Sequence, residues 1–416
     1  MSKDKLMPEL RFPEFVKDEE WKEKKLGDVT ENVMYGMNAA SVEYDGENKY
    51  IRITDIDEST RLFLPNPLTS PDGQLDEKYL VNVGDLLFTR TGASVGKSYL
   101  HQSENEKIYF AGFLIRFAIK KQVPYFIYAQ TLTEKYQKWV SNTSTRSGQP
   151  GINAEEYKSY SIILPSTLEE QQKIASCLSS LDEVITAQSQ KLVLLKEHKK
   201  GLMQNLFPQE GETVPKHRFP EFKNDVEWVE KKLGDIAEII TGSTPSTNEP
   251  AYYGGDKMFV SPADISDKRI VGQTKTTLTD LGFTKTRQIK AGSVLFVCIG
   301  STIGKVAQNK FNCATNQQLN SLVAFNDYSS DFLYSLLDAN SSEIASVAGN
   351  HAVPIINKST FSEIKLPFPS SLEEQQKIAS CLSSLDELIT AQAEKIEQLK
   401  LHKQGLMQGL FPKIGK

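Results

Sequence analysis

The chain has 416 residues, of which 39% are hydrophobic and 24% charged, and its formal net charge is −5. This composition is typical of a soluble globular protein with two or three domains. The sequence lacks a run of about 18 apolar residues, so a membrane span is not expected, and its first residues do not resemble a signal peptide. The four cysteines show neither C-x-x-C spacing nor a nearby histidine cluster. This argues against a zinc site or a disulfide framework and favours the reducing cytoplasm.

The charge is distributed unevenly along the chain. Residues 1–83 carry a net charge of −7, whereas residues 84–163 carry +4 and residues 256–320 carry +5. An acidic protein as a whole is a poor match for nucleic acid, because phosphate contacts need lysine and arginine. The two basic segments nevertheless allow a nucleic-acid-binding face on each of two domains.

The first predicted element is an anchor segment that occurs twice. Residues 11–28 (RFPEFVKDEEWKEKKLGD) and 218–235 (RFPEFKNDVEWVEKKLGD) differ at four of eighteen positions. A second block, residues 165–208, is identical to residues 369–412 at 34 of 44 positions, with an offset of 204. Two copies are too few for a solenoid. The chain therefore consists of two copies of one unit, and each copy has an anchor, a divergent domain and a helical block.

The divergent domain that follows the first anchor is predicted to be mixed α/β. Short apolar stretches are separated by Gly, Pro, Asn and Asp, which is typical of short strands joined by turns. We expect strands at residues 50–53, 86–88 and 108–117, and at 293–298 in the second copy. Regular alternation of strands and helices is missing, so a doubly wound sheet is not expected.

Within this domain, the segment Gly92-Ala-Ser-Val-Gly96-Lys97-Ser98 resembles a phosphate-binding loop. It has three residues between its glycines, where the Walker pattern needs four, and its counterpart at residues 300–306 lacks the metal-binding hydroxyl. A nucleotide site is therefore not expected. Because the turn recurs in both copies, two interpretations stay open: a tight turn that could lie against a phosphate backbone, or a purely structural turn.

The helical block that comes next has apolar residues at alternating spacings of four and three. This heptad pattern is typical of a coiled coil. The predicted seam consists of Ile174, Leu178, Leu181, Ile185, Leu192 and Leu195 in the first copy and Ile378, Leu382, Leu385, Ile389, Ile396 and Leu399 in the second, with polar layers at Gln188, Lys199, Gln392 and Lys403.

Each helix is expected to begin with a capping box and to end at a Phe-Pro pair. Ser166 precedes Glu169 by three residues, and Ser370 precedes Glu373 in the same way. A helix of about 40 residues is roughly 60 Å long. The simplest partner for each helix is the other copy, because the two seams match in length and register. The alternative is that each helix packs separately on its own domain.

Comparison of the two divergent domains suggests a difference in what they bind. Residues 84–92 align with 292–300, which sets Arg90 against Cys298, and residues 108–110 (IYF) then align with 316–318 (NQQ). Asparagine and glutamine pair well with adenine edges, and arginine with guanine. The pattern indicates either two readers of different sequences or ordinary drift in core packing.

Motifs for catalysis are weak throughout the sequence. The letters of a PD…DxK nuclease core occur at residues 71–78, but the acidic residues are too close together to come from separate strands. Residues 66–69 (NPLT) are a poor match for an adenine-methyltransferase N-P-P-Y motif, and no Gly-rich cofactor loop accompanies them. The five histidines support neither a Ser–His–Asp nor a Cys–His arrangement. We therefore expect no catalytic site in this chain.

Several of these segments together resemble the specificity subunit of type I restriction–modification systems. The resemblance rests on the repeated LEEQQKIA block with its helix ending GLMQxLFP, on the RFPEF…W…KKLGD anchor, and on residues 294–305 and 314–320 of the second domain. It covers nearly the whole chain. It is highly specific in the helical blocks and weaker in the divergent domains.

The resemblance implies an α+β protein with two α/β target recognition domains. Two long antiparallel coiled-coil helices separate the domains, and the chain has a pseudo-two-fold internal repeat. The expected boundaries are 1–165 for the first recognition domain, 166–208 for the first spacer helix, 209–217 for the linker, 218–369 for the second recognition domain and 370–412 for the second spacer helix.

The resemblance also implies that the chain reads DNA without catalysing a reaction. Each domain would read one half of a bipartite double-stranded site, and the helices would set the spacing and dock two modification subunits. Those subunits bind S-adenosylmethionine and methylate adenine, and two restriction subunits that use ATP and Mg²⁺ complete the complex. This chain itself is expected to bind no cofactor and no metal. Its candidate DNA-binding residues are Arg90, Lys97, Arg146, Gln149, Lys305, Asn316, Gln317, Gln318 and His351.

Two rival interpretations belong to other functional classes. A coiled-coil adaptor would bind protein but not DNA, so salt-dependent, sequence-selective DNA binding in the presence of the partner would exclude it. A stand-alone enzyme would need metal-dependent or S-adenosylmethionine-dependent activity of the isolated chain.

Overall fold

The computed structural model describes residues 6–146, 148–209, 211–349 and 353–413. Two compact units make up the structure. One comprises the chain up to Ala187 together with the stretch from Glu397 onward, and the other is Gln188–Ile396. Each unit therefore contains one mixed domain and a part of both long helices. Among the helices of the described ranges, none combines the length and the hydropathy that a transmembrane span requires.

The first mixed domain is built from short strands and short helices. An antiparallel sheet in the order β2-β9-β6-β7 forms its centre, β4 pairs in parallel with β8, and β3 pairs with β5. The elements are β1 (Lys22–Lys25), β2 (Thr30–Tyr35), β3 (Ser41–Glu43), β4 (Asn48–Ile51), β5 (Thr69–Pro71), β6 (Asp85–Thr89), β7 (Ser98–Leu100), β8 (Lys107–Phe110), β9 (Leu114–Ile119), α1 (Pro124–Gln130), α2 (Glu134–Ser144), α3 (Ala154–Lys158) and β10 (Ser161–Leu164). The first long helix, α4 (Leu168–Leu206), follows.

The second mixed domain repeats this topology. The order β12-β20-β17-β18 matches β2-β9-β6-β7, with β14 added at the edge, and β13 pairs in parallel with β19 as β4 does with β8. The elements are β11 (Val229–Lys232), α5 (Leu233–Ile236), β12 (Ala237–Thr241), β13 (Tyr253–Val260), β14 (Ile270–Val271), β15 (Thr276–Leu278), α6 (Asp280–Thr284), β16 (Gln288–Ile289), β17 (Val294–Val297), β18 (Val306–Asn309), β19 (Cys313–Thr315), β20 (Leu319–Ala324), α7 (Ser330–Ala339), α8 (Ser341–Ser346), α9 (Lys358–Glu363) and β21 (Lys365–Phe368). The second long helix is α10 (Leu372–Leu410).

One predicted strand, residues 108–117, is in fact two. β8 ends at Phe110 and β9 begins at Leu114, and the backbone N–H of Leu114 donates to the carbonyl of Ala111 at 2.8 Å. The intervening Ala-Gly-Phe forms a turn, so β8 pairs with β4 while β9 pairs with β6. Both strands are apolar, so hydrophobic pattern alone did not reveal the break.

The repeated anchor holds the start of each long helix. The guanidinium of Arg11 binds both carboxylate oxygens of Glu170 at 2.8 Å, and Trp21 Nε1 donates to the same group at 3.3 Å. In the second copy Arg218 binds Glu374 at 2.7–2.8 Å. The side chains of both glutamates are essentially buried. The RFPEF…W motif is thus an ionic clamp on the third residue of each helix.

The hydrogen bonds at the first turn of each long helix correct the predicted capping residues. The backbone N–H of Glu170 donates to Thr167 Oγ1 at 3.3 Å, and that of Glu374 donates to Ser371 Oγ at 3.2 Å. The capping residues are therefore one position later than Ser166 and Ser370. Because α4 and α10 begin at Leu168 and Leu372, the expected capping pairs are out of register by one residue.

The ends of the long helices belong to the domain cores. In the first unit, Ile174 and Leu178 pack in one apolar cluster with Trp21 and Phe126, and Leu410 near the end of α10 joins the same cluster. In the second unit the equivalent cluster contains Ile378 and Leu382 from α10 and Leu206 from α4. Each domain therefore packs on the beginning of its own helix and on the end of the other helix.

Candidate nucleic-acid interface

The Gly-rich turn has the same backbone conformation in both copies. Gly92 and Gly96 have φ of 75° and 85°, and Gly300 and Gly304 have φ of 97° and 96°. A side chain is strained in this region, which accounts for the glycines. A Cβ on Gly96 would also lie 2.4 Å from a methyl group of Val140 on α2. The turn is therefore a fixed structural feature of both domains.

The lysine that follows each turn donates a hydrogen bond to a carbonyl of its own domain, but Lys97 is buried whereas Lys305 is exposed. Lys97 Nζ donates to the carbonyl of Ile56 at 2.9 Å and forms an ion pair with Glu58 at 2.8 Å, and its side chain is only 7% exposed. Lys305 Nζ donates to the carbonyl of Ile265 at 3.0 Å. The shared contact fastens the turn to the loop after β4 or β13. The structural interpretation therefore accounts for Lys97, whose ammonium has two partners within its own domain.

A loop carrying two predicted residues lies against the first Gly-rich turn. The N–H of Gly92 donates to the carbonyl of Pro150 at 3.0 Å, as Gly300 does to Pro354 in the second copy. Gln149 is exposed beside this turn. Arg146 is exposed as well, and it binds the carbonyl of Thr143 at 2.7 Å and the carboxylate of Glu156. The predicted residue His351 lies outside the described residues.

The strand pairing corrects the alignment of the two domains. The N–H of Ala111 donates to Ile51 at 3.0 Å, and that of Asn316 donates to Val260 at 3.1 Å, at the same position of the parallel strand pair. Residues 316–318 therefore correspond to residues 111–113, not to 108–110. The connection before β19 is three residues shorter than the one before β8, so the constant offset used for the sequence alignment was wrong beyond this loop.

In the first domain, the turn formed by residues 111–113 lies beside Arg90. The guanidinium of Arg90 lies 5.0 Å above the ring of Tyr35, and its Nη1 donates to the carbonyl of Gly112 at 3.4 Å. Phe113, at the tip of the turn, is 58% exposed. This surface combines an aromatic ring with a half-buried cation. The phenyl ring of Phe113 can make apolar contacts to bases.

In the second domain the same turn carries three amide side chains with different roles. Asn316 Nδ2 donates to Gln318 Oε1 at 3.0 Å, and the N–H of Gln318 donates to Asn316 Oδ1 at 3.1 Å. These two residues brace each other. Gln317 is exposed and accepts a hydrogen bond from Thr244 Oγ1 at 2.7 Å. Of the three predicted residues, Gln317 is thus the one presented to solvent.

The predicted seam forms the covered face of the long helices. Ile174, Leu178, Ile378, Leu382 and Ile396 are buried. The other predicted apolar seam positions are half-buried, and these are Leu181, Ile185, Leu192, Leu195, Leu385, Ile389 and Leu399.

Contacts within each unit show that the helix pair is antiparallel. In the second unit, Gln392 Nε2 donates to Gln188 Oε1 at 2.8 Å, and Lys199 pairs with Asp386 at 2.7 Å, so α4 advances as α10 recedes. In the first unit Lys403 of α10 binds Asp182 of α4. Gln188 thus contacts its own repeat equivalent. The expectation that each helix partners the other copy is confirmed. The apolar core cluster of each domain also takes in residues from the end segments of both helices.

The comparisons with known proteins bear directly on this duplicated arrangement. A family model described as the type I restriction modification DNA specificity domain matches residues 18–197 and again residues 225–401. These two matches cover most of the chain. The chain belongs to the type I restriction–modification specificity subunit family. Each matched segment lies within one of the two copies that the repeat defines.

Relatives and solved structures agree with this assignment. A putative type I restriction enzyme MjaX specificity subunit from Methanocaldococcus jannaschii is 25% identical over 94% of this chain and 93% of the relative. The MjaIX specificity subunit from the same organism is 32% identical over 42% of this chain and 41% of its own length. The crystal structure of a type I S subunit from M. genitalium superposes with a TM-score of 0.68 at 14% identity, covering 99% of this chain and 100% of that one, which shows the shared fold.

Some residues on the specificity subunit's exposed turns were missed from the sequence. These residues are Tyr35, which lies under Arg90, Phe113 at the tip of the first turn, Thr244, which contacts Gln317, and Arg287, which binds the carbonyl of Thr241 at the adjacent strand end. Two glycines in the sequence could have indicated these positions: Gly36 directly follows β2, and Gly242 directly follows β12. A Cβ there would lie 2.2 Å from the carbonyl oxygen of Ala111 or 2.1 Å from that of Asn316. The glycines therefore mark where the strand end crosses the exposed turn.

Two features of the described residues bear on metal binding and on thiol reactivity. No group of three or more His, Cys, Asp or Glu side chains that could hold a metal occurs in the described ranges. Burial raises the pKa of Cys298 and of Cys313 to about 12, so both thiols stay protonated at neutral pH. These two thiols are therefore poor nucleophiles.

Proposed function

We propose that the two mixed domains each read one half of a bipartite double-stranded DNA site, and that the chain acts without catalysing a reaction itself. The carrying observation is that two domains of the same topology present different side chains at the same place. The turn Ala111–Gly112–Phe113 of one corresponds to Asn316–Gln317–Gln318 of the other. Equal scaffolds with unequal exposed residues suit two readers of different sequences.

We further propose that the helix pair sets the spacing and docks two modification subunits. Support comes from the polar layers at Gln188–Gln392 and at the two Lys–Asp pairs, because polar seam contacts fix helix register. S-adenosylmethionine and adenine methylation belong to those partners in this proposal, and ATP and Mg²⁺ to two restriction subunits. Action on cellular DNA agrees with the cytoplasmic location expected from the sequence.

The distribution of charge supports DNA binding that depends on the modification subunits. The net charge of −5 disfavours binding of DNA by the chain alone, whereas the segments 84–163 and 256–320 are locally basic. Labelled target DNA should therefore bind weakly to the isolated chain and tightly to its complex with the modification subunits. Equal affinity in both cases would contradict this proposal.

Methylation mapping in cells tests the proposed function as a whole. Adenine methylation at one bipartite motif should be present with the chain and lost without it. A protein-binding adaptor that does not read DNA would leave the sequence motif unchanged when the chain is exchanged for a relative. A chain that reads DNA would change the motif.

A further inference from the structure

The second domain has an exposed surface built from three segments that are hydrogen-bonded to one another. The N–H of Ser243, just after β12, donates to the carbonyl of Thr315 at 2.8 Å. The N–H of Arg287, just before β16, donates to Ser243 Oγ at 3.0 Å. Thr244 Oγ1 donates to Gln317 Oε1 at 2.7 Å. The strand end, the segment before β16 and the turn after β19 therefore form one rigid surface.

Close packing at Gly242 holds these segments together. A Cβ at this position would lie 2.1 Å from the carbonyl oxygen of Asn316 and 2.3 Å from Thr315 Oγ1. Only glycine allows this approach of two backbones. The side chains of Thr244 and Gln317 are brought into contact by this crossing, so the position of the Gln317 amide depends on the fold and not on a flexible loop.

Arg287 and Gln317 keep most of their hydrogen-bonding capacity on this surface. Arg287 Nη1 donates to the carbonyl of Thr241 at 2.7 Å, and its Nε and Nη2 have no protein partner among the residues that the structure describes. Gln317 Nε2 likewise has no partner in the described part of the chain, and Oε1 retains its second lone pair. Both side chains are exposed. Each is tethered at one atom and free at the others.

These free groups match two different base edges. In the major groove adenine presents one acceptor and one donor, which a side-chain amide satisfies with its N–H and its oxygen. Guanine presents two acceptors, which a guanidinium satisfies with two N–H groups. The tether leaves Gln317 with both a donor and an acceptor, and leaves Arg287 with donors only.

We propose that Gln317, positioned by Thr244, reads an adenine and that Arg287, positioned by Thr241, reads a guanine in the half-site of the second domain. This inference rests on the proposed DNA-reading function. Asn316 and Gln318 are positioning residues, since their amides are used on each other and on the carbonyl of Ile299. The first domain has Gly112 in place of Gln317 and lacks this reading pair.

The test uses the full chain assembled with its modification subunits and a randomised duplex library, with bound DNA sequenced after selection. Gln317→Ala should lower the preference for adenine at one position of the second half-site by about tenfold or more, as expected for loss of one bidentate contact. Arg287→Ala should do the same for guanine at a different position. The first half-site should not change with either variant.

Two further variants separate base reading from damage to the fold. Gln317→Glu replaces a donor with an acceptor and should shift the preference at the same position from adenine toward cytosine. Thr244→Val removes the tether while keeping the side chain's shape, and it should weaken the adenine preference partially. Lys285→Ala is the matched control, because it removes an exposed charge two residues from Arg287 and should lower affinity equally for all sequences.

The outcomes distinguish this inference from the proposed function. If the wild-type complex selects no bipartite sequence, the proposed function fails. If the wild type selects a bipartite site, and Gln317→Ala and Gln317→Glu keep every base preference, the assignment of Gln317 is overturned. Unchanged guanine preference in Arg287→Ala overturns the assignment of Arg287.

Discussion

Lys199 of α4 and Asp386 of α10 form an ion pair at 2.7 Å, and the repeat places the equivalent pair, Lys403 with Asp182, in the other unit. The side chains of Lys199 and Asp386 are about 15% exposed. Each long helix therefore supplies the lysine of one of these ion pairs and the aspartate of the other. A mutation in one helical copy has a matched counterpart in the second copy.

We expect Lys199→Met to destabilise the second unit by about 1–3 kcal/mol. The methionine keeps the apolar stem but leaves Asp386 near the helix interface without its cation. Denaturant unfolding of the purified chain measures the change. Lys400→Met is the control, because Lys400 pairs with Glu397 on the exposed side and should cost no more than about 1 kcal/mol. Equal effects of both variants would contradict a special role for the seam lysine.

The buried clamp predicts a larger loss. Arg218→Ala should destabilise the second domain by about 3–5 kcal/mol, since it leaves the carboxylate of Glu374 buried without a partner. The ion pair also raises the pKa of Arg218 above its ordinary value, so the guanidinium stays charged at any working pH. Thermal unfolding gives the measurement. The neighbouring surface pair Lys377–Glu221, opened by Lys377→Ala, should change stability by less than about 1 kcal/mol.

Asp338 gives the interface of α7 with the helices a dependence on pH. Desolvation raises the pKa of its carboxyl group, and the ammonium of Lys199 at 3.5 Å opposes this effect. A carboxyl group with a raised folded-state pKa contributes stability below its unfolded pKa, and this contribution is lost as pH rises through the folded value. Asp338→Asn should therefore raise stability relative to wild type more at pH 7 than at pH 4, measured by denaturant midpoints. If Asp338→Asn instead lowered stability at pH 7 and not at pH 4, the ionised carboxylate would be stabilising and the prediction would be wrong.

Lys97 and Arg146 should respond differently in DNA binding by the assembled complex. Lys97→Met removes an ammonium that is bound inside the domain, so it should lower the stability of the first domain and leave the salt dependence of binding unchanged. Arg146→Ala removes an exposed guanidinium and should reduce the slope of log affinity against log salt by about 1. Titrations at several salt concentrations decide between them. A reduced slope with Lys97→Met would contradict this prediction and would indicate that Lys97 contacts DNA.

The helix pair predicts a spacing rule for the methylated motif. If the half-site centres lie one turn of B-DNA apart, about 10 bp, half-sites of about 3–4 bp leave a gap of about 6–7 bp. Seven residues inserted after Gln188 and after Gln392, which face each other, keep the seam aligned. They lengthen the pair by about 10 Å, so the gap should grow by about 2–3 bp while both half-sites are retained. An unchanged gap in a folded, active variant would exclude the helices as the ruler.

Exchange of one domain tests whether the two readers are independent. Replacing residues 218–364 with the same region of a relative should change one half of the methylated motif and leave the other half unchanged. The separate apolar clusters of the two domains are the physical reason for this expectation. Methylome sequencing provides the measurement, and changes in both halves would mean that the domains are coupled.

Sequence alone determined the duplication, the two long helices and their seam. These features follow from identity between copies and from a heptad period, which are readable without knowing any distant contact. The residues at Gln188 and Gln392 were already identifiable as a polar layer, because their position in the heptad places them on the seam.

Only the tertiary structure decided which side chains meet at the domain surfaces. Lys97 appeared available for phosphate until its contacts with Ile56 and Glu58, some 40 residues away in sequence, placed it inside. Asn316 matched Ala111 only once strand pairing revealed the loop shortened by three residues. The physical reason is common to both cases: these side chains are positioned by long-range contacts between segments whose lengths vary, whereas the helix pattern is set by local periodicity.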